Sequence, residues 1–141
     1  MTQEEKLFLF RDLCARLPYD TVCQVEFKSD GKYESKNMIL SGIFKDEAYF
    51  TIGNDSVYSN DYKPYLFPLS SMTIEQQKEA NIFDDMDMDI LSENLGRNHR
   101  NKTNIPTATY NYIDWLNKNH FDYRGLIEKG LAIDATDLNI Y

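Results

Sequence analysis

Four neighbouring residues near the C-terminal end carry side chains suited to proton transfer. His120 and Asp122 lie two residues apart, and Tyr123 and Arg124 follow directly. An imidazole beside a carboxylate is a common general acid–base pair, but it needs a nucleophile or a substrate group to act on. The sequence has no serine or cysteine nucleophile motif. We therefore predict that the chain is not an enzyme, that His120 ends a helix while Asp122 begins the next, and that Arg124 forms a local ion pair.

The densest acidic stretch is a candidate for binding a cation or a basic partner. Its carboxylates are Asp84, Asp85, Asp87, Asp89 and Glu93. An EF-hand calcium loop opens with this spacing, but it requires glycine at its sixth position and glutamate at its twelfth. Ile90 and Gly96 stand there, so we predict no metal site and no cofactor. Three interpretations remain open: acids at a helix N-terminus, a surface for a partner protein, or mimicry of DNA phosphates by segment 84–93.

A basic stretch offers a different function. Its basic residues, which are interleaved with asparagines, are Arg97, His99, Arg100 and Lys102. Such side chains donate hydrogen bonds to phosphate oxygens, so loop 97–102 is a candidate nucleic-acid contact. The net charge of −8 and the pI of about 4.7 oppose this, because they repel a phosphate backbone at long range. A solvated surface loop is the favoured interpretation.

A short apolar stretch bounded by prolines is the third candidate. Pro64 and Pro68 enclose Tyr65, Leu66 and Phe67. Proline has no N–H to donate to a sheet, so the stretch is predicted to be an edge strand or a strap across the sheet. An exposed edge can accept a strand from a partner protein. Burial against the helices explains the same three residues equally well.

An N-terminal helix is the first element that would position these candidates. Thr2 and Glu5 have the spacing of a capping box, and Pro18 is predicted to end the helix. Apolar residues at helical spacing predict the buried face: Leu7, Phe10, Leu13, Cys14 and Leu17.

After this helix the apolar period changes from helical to strand-like. Cys23, Val25 and Phe27 alternate with polar residues, as in a half-buried strand. Further predicted strands cover residues 37–44 (with Gly42 a candidate bulge) and 48–52, with a loop or short strand at 56–61. Predicted helices cover residues 74–80, 90–95, the stretch after Pro106 (burying Tyr112, Ile113, Trp115 and Leu116), and 124–129, with a small strand at 131–133.

The predicted fold class is α+β. A small curled antiparallel sheet of three to five strands would carry the N-terminal helix and the C-terminal helices, in a single domain over residues 1–141. Segment 120–134 mixes aromatic residues, charges of both signs and two glycines, so we expect it to dock back on the domain. Two cysteines, both predicted to be buried, and a polar N-terminal start predict a cytoplasmic protein without a membrane span.

Three sequence blocks resemble a family of uncharacterised proteins from gut Bacteroidales bacteria and their phages and mobile elements. The blocks are KPYLFPLSSMT at 63–73, HFDYRGLIEKGLAID at 120–134 and LCARLPY at 13–19. Phe67 departs from the family pattern, which has a basic residue there, and the acidic middle segment is peculiar to this chain. The resemblance implies a small intracellular accessory protein of phage or prophage origin, and it implies no activity, cofactor or site residue.

The expected function is a non-enzymatic module that binds another protein. Its contacts would come from the aromatic stretch 65–67 or from the acidic segment 84–93. The alternative is a nucleic-acid-related protein, acting through contact by loop 97–102 or through DNA mimicry by segment 84–93.

Overall fold

The computed structural model describes residues 1–80 and 107–141. Over these residues the chain is α+β, with an N-terminal helix, a mixed sheet of seven strands and a C-terminal helix. The helices are α1 (Gln3–Arg16), α2 (described over residues 74–80) and α3 (Thr107–Lys118). The strands are β1 (Val22–Ser29), β2 (Lys32–Phe44), β3 (Glu47–Ile52), β4 (Asp55–Ser59), β5 (Asp61–Pro68), β6 (Phe121–Asp122) and β7 (Ile133–Asp134). The expected three to five strands were too few, because two short C-terminal segments join the sheet.

Strands β1 to β4 form an antiparallel meander, and β5 returns to pair with β1. Because β5 begins directly after β4, the sheet must curl to bring β5 beside β1. Ser59 at the end of β4 marks this closure, since its hydroxyl donates a 2.7 Å hydrogen bond to the Glu26 carbonyl of β1. The register of β2 shifts between Leu40 and Gly42, which is the bend expected at that glycine. The predicted α+β class is confirmed, but the sheet is mixed and not purely antiparallel, because β6 and β7 pair parallel with β5.

Helix α1 starts as predicted but buries a different face. The Thr2 N–H donates to Glu5 Oε2 at 2.6 Å, and the Glu5 N–H donates to Thr2 Oγ1 at 3.1 Å, which completes the capping box. The buried residues of the helix are Leu9, Asp12, Leu13 and Arg16. The predicted face was wrong for Leu7, which is 50% exposed, and for Cys14, which is also exposed. The buried face contains the Asp12–Arg16 ion pair, so it differs from the face that the apolar residues alone predict.

The hydrophobic core lies inside the curled sheet, under α1 and the C-terminal segment. Its buried members are Leu9, Leu13, Cys23, Val25, Met38, Leu40, Ala48, Phe50, Tyr62, Leu66, Leu126, Leu131 and Ala132. Cys23 is buried as predicted, and burial raises the pKa of its thiol, which keeps it protonated and unreactive. On α3, Leu116 is buried as predicted, while Trp115 is half-buried and stacks on the Phe121 ring at 5.7 Å.

The C-terminal segment completes the sheet, which confirms the expected docking. Both of its strands run parallel to β5: Phe121 of β6 pairs with Phe67, and Ile133 of β7 pairs with Tyr65. The short helix predicted at 124–129 was wrong, since residues 126–130 form turns. The small strand predicted at 131–133 is present, shifted to Ile133–Asp134.

Candidate functional site

A buried ion pair joins α1 to the C-terminal segment. Arg16 and Asp12 lie one helical turn apart, and both side chains are fully buried. Arg16 Nε donates to Asp12 Oδ2 at 2.6 Å, and Arg16 Nη2 donates to the Phe121 carbonyl at 2.8 Å. A buried charge is tolerated only when it is paired and hydrogen-bonded, and these contacts satisfy Arg16 Nε and Nη2, while the buried Nη1 has no partner among the described residues.

Two further side chains of the C-terminal segment extend this cluster. Arg124 Nε lies 3.4 Å from Asp12 Oδ1, the distance of an ion pair without hydrogen-bond geometry. The Tyr123 ring contacts two guanidinium groups, with Arg16 Cζ 5.5 Å and Arg124 Cζ 5.3 Å from its centroid. The predicted local partner of Arg124 was therefore wrong, because this arginine pairs with a residue of α1. The Asp12 carboxylate thus joins α1 to the C-terminal segment, since both Arg16 and Arg124 approach it.

Both members of the possible acid–base pair have structural contacts. The Asp122 carboxylate accepts hydrogen bonds from the backbone N–H groups of Leu126 at 2.9 Å and Ile127 at 2.8 Å, so it caps the following turns. His120 has a positive φ of 61° and stacks on the Tyr141 ring with centroids 3.7 Å apart. Burial, reinforced by the Arg16 charge, lowers the pKa of His120 to about 4. Its ring is neutral near pH 7 and packs against an aromatic residue.

The proline-bounded stretch is not an exposed edge. Tyr65 is 6% exposed and Leu66 is fully buried, while Phe67 is half-buried. Strand β5, which contains all three, pairs with β1, β6 and β7. The expectation of an open aromatic edge at 65–67 was therefore wrong, and the burial alternative explains these residues. They could not be placed from the sequence because their partner strands begin more than fifty residues later in the chain.

The acidic and basic stretches lie outside the described residues. These are Asp84, Asp85, Asp87, Asp89 and Glu93 in the acidic segment, and Arg97, His99, Arg100 and Lys102 in the basic loop. Their roles as partner-binding or nucleic-acid-binding residues stay predictions. Within residues 1–80 and 107–141, no group of three or more His, Cys, Asp or Glu side chains could hold a metal ion.

An open groove lies between β4 and β1, beside the Ser59–Glu26 hydrogen bond that joins them. We name it the seam groove. One wall is the end of β4 with Val57, Tyr58 and Ser59, and the opposite wall contains Phe27 and Lys28 of β1. The remaining lining comes from the N-terminal end of α1, Glu47 of β3, Asn60 and the start of β5, and the turn that precedes β7. In the described part of the chain β4 pairs only with β3, so its second edge borders this groove.

A smaller cavity of about 290 Å³ adjoins the groove, and we name it the helix pocket. Its apolar lining is Leu7, Leu9 and Phe10 of α1 together with Tyr62 of β5. Met1, Lys6 and Asn60 line both the groove and the pocket, so the two depressions are adjacent on the surface. Burial raises the pKa of Tyr62 to about 12, so its hydroxyl stays protonated in the pocket wall.

The seam groove and the helix pocket are richer in lysine than the net charge suggests. Their lining contains five lysines: Lys6, Lys28, Lys45, Lys63 and Lys129. The carboxylates there are Glu5, Asp46, Glu47 and Asp61. In the described part of the chain, none of these five lysines forms a salt bridge. Sequence reasoning missed this set because its members are scattered over five elements and turns, and no local pattern connects them.

Comparison with known proteins returns no matching family model, no similar curated protein and no similar solved structure. Among the described helices, none has the length and apolar composition required to cross a bilayer.

Proposed function

We propose that this chain is a non-enzymatic protein-binding module that accepts an extended segment of a partner protein along the free edge of β4. The observation that carries the proposal is the second edge of β4, which has no strand partner within residues 1–80 and 107–141 and borders the seam groove. An unpaired strand edge presents backbone N–H and C=O groups that can pair with a further strand. The partner strand would extend the sheet beyond β4.

The residues of β4 support this proposal. Natural edge strands are protected against pairing by lysine, proline or bulges, and the sequence Asp55–Ser59 contains neither lysine nor proline. Its pairing with β3 is regular over all five residues. Tyr58 is 55% exposed, and its ring packs on that of Tyr49 with centroids 4.8 Å apart. A half-exposed tyrosine that packs on a second ring suits a protein interface, because it offers apolar area to a partner and loses little side-chain entropy on binding.

The environment of the possible acid–base pair also favours binding over catalysis. His120 and Asp122 have their contacts with Tyr141 and with backbone amides, and neither lines the seam groove or the helix pocket. A general base must reach a substrate proton, directly or through one water molecule. Binding along a strand edge requires no such group.

A library of random twelve-residue peptides displayed on phage tests this function. The immobilised protein is expected to enrich a set of peptides, and Tyr58→Lys is expected to lose them because a lysine on the edge opposes strand addition. Tyr33→Lys is the matched control, since Tyr33 is also an exposed strand tyrosine, at 82%, but lies outside the groove. Equal recovery by the Tyr58 variant, or no enrichment over empty support, would overturn the proposal.

A further inference from the structure

The lining of the seam groove also points to the chemistry of its occupant. We infer that the bound segment is acidic and carries one large apolar side chain, which enters the helix pocket. This inference rests on the proposed strand-edge binding and adds the class of partner.

The charges around the groove favour an anionic segment. The seam groove and the helix pocket together are lined by five lysines and four carboxylates, a small positive excess on a chain whose net charge is −8. Glu5 is one of these carboxylates and stays ionised, because hydrogen bonds with Thr2 lower the pKa of its carboxyl group. Surface charges separated by more than about 8–10 Å are largely screened at physiological ionic strength, so a bound segment meets the charges of this lining more than the acids elsewhere on the chain.

The position of the lysines matches an extended chain along β4. Lys28 lies on the wall opposite β4, while Lys63 and Lys129 come from the start of β5 and the turn before β7. A strand added to β4 would direct alternate side chains to opposite faces of the sheet. Carboxylates on one set of alternate positions can therefore approach lysines that are distant from one another in sequence.

The helix pocket provides the place for an apolar anchor. Leu7, Leu9, Phe10 and Tyr62 line a volume of about 290 Å³, which is large enough for a leucine or phenylalanine side chain. Lys6 and Asn60 line both the pocket and the groove, so a side chain of a segment bound in the groove has only a short distance to span to the pocket. Leu7 is 50% exposed, and an anchor side chain would cover it. A few buried anchors usually dominate the affinity of such an interface.

Three peptide libraries test the chemistry of the partner. All share fixed apolar positions at alternate residues, and the other positions are drawn from Asp, Glu and Ser, from Ser, Thr and Gln, or from Lys, Arg and Ser. Binders are expected from the acidic library alone. Equal or better recovery from the neutral or basic library would overturn this inference but leave the strand-edge function standing. Recovery from none would overturn both.

Matched variants locate the binding of a recovered acidic peptide. Lys63→Glu and Lys129→Glu are each expected to weaken it about five- to tenfold, as loss of a surface ion pair with added repulsion predicts. Lys32→Glu is the control, since Lys32 lies on the β1–β2 hairpin and does not line the groove. Leu7→Asp is expected to weaken binding at least tenfold, whereas Ile74→Asp, an exposed position on α2, leaves it unchanged. Equal affinities for groove and control variants would contradict the inference.

Discussion

Asp12 and Arg16 are the two residues on which the attachment of the C-terminal segment depends most. Both are fully buried on one face of α1, and the arginine also holds the Phe121 carbonyl across the interface. A buried ion pair adds little net stability relative to apolar residues of equal volume, but removing one partner leaves a charge without compensation. The pair therefore specifies how α1 and the C-terminal segment fit together.

Replacing Asp12 alone should be severely destabilising. Asp12→Ala leaves Arg16 buried without a counter-ion and removes the partner of Arg124, so we expect a loss of about 3–5 kcal/mol in the free energy of unfolding. Urea denaturation followed by far-UV circular dichroism measures it. The control Glu4→Ala, at an exposed site on the same helix, should stay within about 1 kcal/mol. The double variant Asp12→Leu with Arg16→Met should recover much of the lost free energy of unfolding. If Asp12→Ala loses no more stability than Glu4→Ala, the role assigned to Asp12 is contradicted.

His120 should make the stability of the protein depend on pH. Its pKa is about 4 in the folded chain and near 6.5 when unfolded, so between these values the unfolded chain binds more protons. Stability is therefore complete above pH 6.5 and falls as the pH is lowered towards 4. Because the ring is only partly buried, the expected loss is roughly 1–2 kcal/mol.

Two histidine variants separate this effect from the titration of carboxylates. Urea denaturation at several pH values between 7.5 and 4 should give a flatter dependence for His120→Gln than for the unchanged protein. His99→Gln should keep the original dependence. If His120→Gln keeps the original pH dependence while His99→Gln gives the flatter one, the titrating group is not His120.

At the scale of elements, β5 is the junction of the fold. Its first half pairs antiparallel with β1, and its second half pairs parallel with β6 and β7. Three separate segments meet here, since Arg16 binds the Phe121 carbonyl, Phe67 pairs with Phe121, and Tyr65 pairs with Ile133. Lys63 of β5 and Lys129 of the C-terminal segment also line the seam groove, so this junction and the groove share the same segments.

The turns between β6 and β7 depend on a single carboxylate. Asp122→Ala removes the acceptor of the Leu126 and Ile127 N–H groups, and a buried donor left without a partner costs about 1–3 kcal/mol. We expect a loss of about 2–3 kcal/mol in the free energy of unfolding and faster hydrogen exchange at both amides. Asp114→Ala, on the exposed face of α3, is the matched control and should change neither the free energy of unfolding nor the exchange at these amides. Protection unchanged in Asp122→Ala would show that other groups hold these turns.

At the scale of the whole molecule, the curl of the sheet decides where partners can bind. Pairing of β5 with β1 covers what would otherwise be two open edges, and the C-terminal strands add to β5. Among the described strands β4 keeps one edge without a partner, as do β6 and β7, and the curl brings together lysines from five separate parts of the chain around the seam groove and the helix pocket. An acidic protein thus presents a surface depression in which five lysines slightly outnumber four carboxylates, which a uniform distribution of its net charge of −8 would not produce.

Local patterns were enough to predict the α+β class, the capping box at Thr2 and the alternation of Cys23, Val25 and Phe27. Each of these depends on residues within a few positions of one another: an N-cap and its third helical residue, or a side-chain period of two. The same local information predicted that segment 120–134 docks back, because its composition suits neither a flexible tail nor a simple core helix.

Only the tertiary structure decided which surfaces are open. The face that α1 buries includes Asp12 and Arg16, and charged residues are read as exposed until a partner such as the Phe121 carbonyl is known. Burial of Tyr65 and Leu66 depends on strands that pair with β5 from the far end of the chain. The seam groove depends on long-range pairing in the same way, since periodicity specifies the faces of a strand but not its neighbours.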